Sequence, residues 1–179
     1  MARHVLNYCI TRQSIQMKKF LVFVTLLAIL FSNKLIAQDV QQASQLSGLL
    51  KQYYGLKDAL VAGNATSAAQ YAEQLVKTLN GIDYKLISEG NINALLKDAS
   101  GISASNDLKR QRVSFANLSE NMISLAKAIK LSDQPIYQVY CPMKKASWLS
   151  NEQEIKNPYY GATMLTCGKV VETIKESSN

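Results

Sequence analysis

Residues 46–131 carry apolar side chains at the spacing of a helix, broken only by short polar interruptions. Leu46, Leu49, Leu50, Tyr53, Leu56 and Leu60 follow the i, i+3, i+4, i+7 pattern of one buried stripe. Ala68, Ala69, Ala72, Leu75, Val76 and Leu79 repeat it. Gly63 and Asn64 break the chain between the two runs, with Asn64 placed to cap the second helix, and Gly81 ends that segment. A connection as short as Ala62-Gly63-Asn64 predicts an antiparallel pair of helices.

The next segment is weaker. Ile92, Leu95, Leu96 and Ala99 predict a short helix between Gly90 and Gly101. Leu108, Phe115, Leu118, Met122, Leu125, Ala126 and Ile129 then predict a long one over 107–131, capped by Ser105, Asn106 or Asp107. Lys127 and Lys130 suit the negative end of its dipole. The expected fold is mainly α: an up-and-down helical bundle of three long helices and one short.

After residue 133 the character changes. All three prolines (Pro135, Pro142, Pro158) lie here, with Trp148, Cys141 and Cys167. The alternation in Ile136–Tyr140 predicts a short strand. Asn157-Pro158 predicts a turn, because proline disfavours a helical residue before it. A last helix is expected over Ala162–Ile174, started or interrupted near Gly168. This 134–175 tail is too small to be a domain and is expected to pack on the bundle.

The other end of the chain reads as a secretory signal. Lys18-Lys19 precede a 12-residue apolar run, Phe20–Phe31, and a polar stretch with small Ala37. A bilayer span needs about 20 residues. Cleavage is expected after Ala37, leaving 38–179 as one helical domain, and Met17 reads as the natural start. Cys9 precedes the apolar run, so it does not stand where a lipoprotein cysteine would.

Removing the leader changes what the composition implies. Arg3, Arg12, Lys18, Lys19 and Lys34 go with it, leaving 15 basic and 13 acidic residues, a net +2. No basic stripe then argues for nucleic acid; Lys109, Arg110 and Arg112 read as a solvated helix face. His4, the sole histidine, also goes. A chain without histidine has no His-based acid–base catalysis, no Ser-His-Asp triad and none of the usual catalytic zinc sites. Glu152 and Glu154 lie in a polar stretch that solvation explains. No catalytic or cofactor-binding residue is expected, and the chain reads as a non-enzyme.

Two Cys–Met pairs remain. Cys141 and Met143 are two apart, which on an extended segment places both on one face. Met164 and Cys167 are three apart, which does the same on a helix. If the segments meet, two thiols and two thioethers converge, and soft sulfur donors select Cu(I) and similar ions. The candidate metal ligands are Cys141, Met143, Met164 and Cys167. A disulfide between Cys141 and Cys167 is the second reading. It would close a loop of about 27 residues and contribute about 3.5 kcal/mol on the chain-entropy model. Packing is the third: Met164 in the core of a helix, Met143 as a gap-filler. Trp148, Tyr159 and Tyr160 line a ligand pocket or pack the tail on the bundle.

The segments QRVSFANLS, YCPMKKASWLS and IKNPYYGATMLTCG together resemble the domain of unknown function 3347, over roughly residues 46–175. Its members are short secreted proteins or C-terminal extensions of periplasmic adaptor subunits of heavy-metal efflux pumps. The resemblance implies a periplasmic or secreted chain, a link to metal handling and envelope efflux proteins as partners. It implies no established activity. Its motif falls on Cys141, Pro142, Met143, Trp148, Asn157, Pro158, Tyr159, Gly161, Met164, Cys167 and Gly168. Many members carry histidine just before the first cysteine; Tyr140 stands there in this chain, which removes one donor.

Overall fold

The computed structural model describes residues 41–175, and the described residues from Gln42 onward form one compact unit. The expected signal segment and its cleavage point lie outside the described residues. Helix α1 runs through 41–61, followed by α2 (Ala65–Asn80), α3 (Glu89–Ser103) and α4 (Leu108–Ala128). Strands β1 (Ile136–Cys141), β2 (Ala146–Ser150) and β3 (Lys169–Ile174) complete the unit, with a 3-10 turn at Gly161–Met164.

Helices α2, α3 and α4 each begin where the sequence provides a side-chain cap. Asn64 Oδ1 accepts the Ser67 N–H at 2.9 Å, Ser88 Oγ the Asn91 N–H at 3.5 Å, and Asp107 Oδ1 the Lys109 N–H at 2.8 Å. At the end of α1, Gly63 adopts φ 71°. Its N–H bonds to Leu60 O at 3.2 Å and the Asn64 N–H to Ala59 O at 2.9 Å, so two otherwise orphaned carbonyls are satisfied by a left-handed cap. The expected short helix is longer than its glycines suggested: α3 has 15 residues against 16 in α2, and contains both Gly90 and Gly101. Helix α4 stops at Ala128, because Ile129 is already extended (φ −138°, ψ 155°).

The apolar stripes form one core. Leu49, Tyr53, Leu56, Leu60, Ala72, Leu75, Leu95, Phe115, Leu118 and Met122 are all buried. Helix α3 packs against both α2 and α4.

The tail departs from expectation. The helix expected over Ala162–Ile174 is instead the 3-10 turn and strand β3. Val170, Val171, Thr173 and Ile174 are β-branched and suit a pleated strand, and β1 offers a free edge for them to pair with. The sheet order is β2-β1-β3, antiparallel throughout. Val139 at its centre faces Trp148 on one side and Val170 on the other, with a bulge in the β1–β3 register between Gln138 and Val139.

Aromatic residues fasten this sheet to the helices. Trp148 meets Tyr159 edge-on (5.9 Å, 82°), Tyr159 meets Phe115 at 5.8 Å, and Phe115 stacks on Tyr53 at 5.4 Å. The hydroxyls of the two tyrosines close the outer edge of β2. Tyr53 Oη accepts the Leu149 N–H at 3.1 Å, and Tyr159 Oη donates to Ser147 O at 2.6 Å. Trp148 and Tyr159 are therefore packing residues; Tyr160 is half-buried against the same core.

Candidate functional site

The end of β1 and the start of β3 bring Cys141 and Cys167 together. Their sulfurs lie 3.1 Å apart, well beyond the 2.05 Å of a bond, and both are free thiols. Cys141 is wholly buried and Cys167 half-buried. The turn from β1 into β2 folds back beneath the first sulfur: the Lys145 N–H bonds to Cys141 O at 2.8 Å, with Lys145 at φ 56°. That fold-back aims the backbone N–H groups of Met143 and Lys144 at the Cys141 sulfur.

These contacts divide the pair into unlike halves. Burial pushes the Cys141 thiol up, but hydrogen bonds from Cys167, from Lys144 and Met143 N–H and from the Asn157 amide outweigh it. Cys141 therefore ionises below the ordinary thiol range. Cys167 is pushed up, first by its hydrogen bond to Cys141, then by burial and by the charge on Cys141. The stable half-ionised form is a Cys141 thiolate that accepts the proton-bearing Cys167 as a donor.

Asn157 organises the far wall. It is buried, and its whole backbone and side chain are engaged. Nδ2 donates to Cys167 O at 2.7 Å; Oδ1 accepts the N–H of Tyr159 at 2.8 Å and of Tyr160 at 3.3 Å. Its own N–H reaches Leu165 O at 2.8 Å, and its carbonyl accepts the Gly161 N–H at 2.9 Å. Proline after asparagine holds this turn open to those bonds. Gly161 has φ 56°, and a side chain there would meet Val61 O at 2.8 Å, so only glycine lets the turn lie against the end of α1.

Arg112 ties the turn to the helices. Its Nε donates to Pro158 O at 2.9 Å and its second terminal nitrogen to Leu60 O at 3.0 Å. It is thus separate from the solvated face on which Lys109 and Arg110 do stand. Burial lowers its proton affinity, but guanidinium stays charged. Asn157 and Arg112 hold the site by long-range bonds that the sequence does not show: Asn157 read as a turn-former and a motif position, Arg112 only as surface charge.

The two methionines flank the pair rather than closing over it. Met143 is 64% exposed and Met164 38%. The Met143 N–H points at both sulfurs, and Met164 O accepts the Cys167 N–H at 3.1 Å. Among the described residues no three His, Cys, Asp or Glu side chains gather. Glu152 and Glu154 are both paired with exposed Lys156, at 2.8 and 3.1 Å. The donors at hand are two thiols in contact, the Cys141 thiol held below the ordinary thiol range, with two methionines whose backbones adjoin the pair. That set fits a soft ion of low coordination number and lacks the four N or S ligands of a structural zinc site.

Residues 49–134 match the model of a family described as "Protein of unknown function (DUF3347)". The chain resembles that family along its helices. The match ends just before β1, so both Cys–Met segments lie beyond it. No curated protein and no solved structure matches the chain. No helix among the described residues is long and apolar enough to cross a membrane.

Proposed function

We propose that this chain is a non-enzymatic periplasmic or secreted module that binds a soft metal ion such as Cu(I) through Cys141 and Cys167, with Met143 and Met164 at the same site. One observation carries this reading: two thiols 3.1 Å apart, one of them receiving two backbone N–H groups from its own turn. Backbone donors favour the deprotonated sulfur, which is the form that binds metal. The helices, in up-and-down order, serve as the frame on which the sulfur-bearing sheet is mounted. The resemblance to a family linked with heavy-metal efflux adapters supports envelope efflux proteins as partners.

Titrating the reduced chain with Cu(I) against a competing chelator tests the reading. The wild type binds more tightly than the Cys141→Ser, Cys167→Ser double variant. Equal affinities would end it.

The 3.1 Å contact and the complete burial of Cys141 also favour a second reading, a protein-interaction module stapled by a Cys141–Cys167 disulfide. Oxidising compartments permit such a bridge. Intact mass after alkylation, with and without reductant, decides it. Two free thiols in protein isolated from the envelope would sink the disulfide version.

A further inference from the structure

The four sulfur-bearing residues are graded in exposure. Met143 is 64% exposed, Met164 38%, Cys167 half-buried and Cys141 0%. No solute reaches the Cys141 sulfur directly from solvent. Both methionines border Cys167, the more open of the thiols: one through its N–H on the sulfur, the other through its carbonyl on the Cys167 N–H. Neither methionine belongs to the hydrophobic core. Each is therefore free to swing a long, unbranched thioether.

We infer that Met143 and Met164 are entry ligands: they receive a soft monovalent cation at the surface and pass it to the thiol pair, and they are not the ligands that hold it there. This rests on the metal-binding reading and assigns the four donors two different tasks. Thioethers are neutral and bind such ions without losing a proton, so they capture quickly and release readily. Thiolates are anionic and hold harder. Transfer runs from the outer pair to the inner pair because each step replaces a weaker donor with a stronger one. The cysteine sulfurs give up their thiol protons to water as they take the ion. No electron changes hands, and the methionines end as they began.

The experiment separates rate from affinity. Cu(I) is presented to the reduced chain as its coloured complex with bathocuproine disulfonate, and loss of colour is followed by stopped flow. The double variant Met143→Leu, Met164→Leu keeps size and apolarity at two exposed positions, and its circular dichroism and melting curve check that the fold is kept. The expected result is uptake slowed at least about tenfold with equilibrium competition changed less than about threefold, a kinetic effect without an affinity effect. Unchanged uptake overturns the inference but leaves metal binding by the cysteines intact. An affinity loss as large as the rate loss also overturns it, by making the methionines ligands of the final site. Failure of the wild type to take Cu(I) at all overturns both the inference and the reading beneath it.

Discussion

The carboxamide of Asn157 donates to the Cys167 carbonyl at 2.7 Å while the same amide supports the Cys141 sulfur, so one buried side chain joins both halves of the thiol pair. Its oxygen meanwhile holds the Tyr159 and Tyr160 N–H groups. Replacing Asn157 with Ala strands several buried backbone groups at once. The expected loss is about 2–4 kcal/mol, since each unsatisfied buried group costs about 1–3 kcal/mol. A shift of the urea midpoint at unchanged slope measures it. A variant as stable as the wild type would show that Asn157 holds nothing.

Arg112→Met keeps the stem of the side chain and removes the fork. Leu60 and Pro158 carbonyls then lose their donors. A destabilisation of about 1.5–3 kcal/mol is expected for hydrogen bonds from a charged donor. Arg112→Lys recovers only part of it, because an ammonium does not reproduce the planar fork. Thermal melts of the three proteins give the order wild type, Lys, Met.

The thiols titrate in two steps. Cys141 ionises below the ordinary thiol range and Cys167 above it, with the two steps belonging to the pair. Between the folded and unfolded values of Cys141 the unfolded chain binds more protons, so the Cys141 contribution to stability rises with pH there. As pH climbs on toward the raised Cys167 value, the folded chain binds more protons and the contribution falls. Thiolate absorbance across pH reads the two steps. Cys167→Ala removes the donor from Cys141, and its single thiol is expected to titrate higher than the first step of the pair.

Gly168 lies close to the indole. A side chain carbon there would come within 2.9 Å of Trp148 and 3.2 Å of Ile155 and Val139. Gly168→Ala forces the ring to shift, at a cost of about 1–3 kcal/mol. The emission of Trp148, the chain's one tryptophan, is expected to move to longer wavelength as its packing opens.

The helices were legible because their signal is local and repeated. Leucines at 49, 56 and 60 and alanines at 68 and 72 declare a face, and Asn64 and Asp107 declare its ends. Strand β2 was not legible, because Lys145 occupies the left-handed turn position that glycine or asparagine usually marks. Strand β3 followed a run, Ala162–Cys167, whose composition suits a helix, and only pairing with β1 decides its state. Spacing paired Cys141 with Met143 and Met164 with Cys167, but that the two segments meet follows only from the sheet that joins them. The exposure of Met143 and Met164 was not, since spacing places side chains on a face without saying whether that face is covered.

X-ray absorption at the copper edge on the Cu(I)-loaded, reduced chain tests most directly whether the cysteine sulfurs hold the metal. The expected result is a first shell of sulfur alone, retained in the Met143→Leu, Met164→Leu variant and lost in Cys141→Ser, Cys167→Ser. A first shell of nitrogen or oxygen, or a sulfur shell that survives loss of both cysteines, would contradict it.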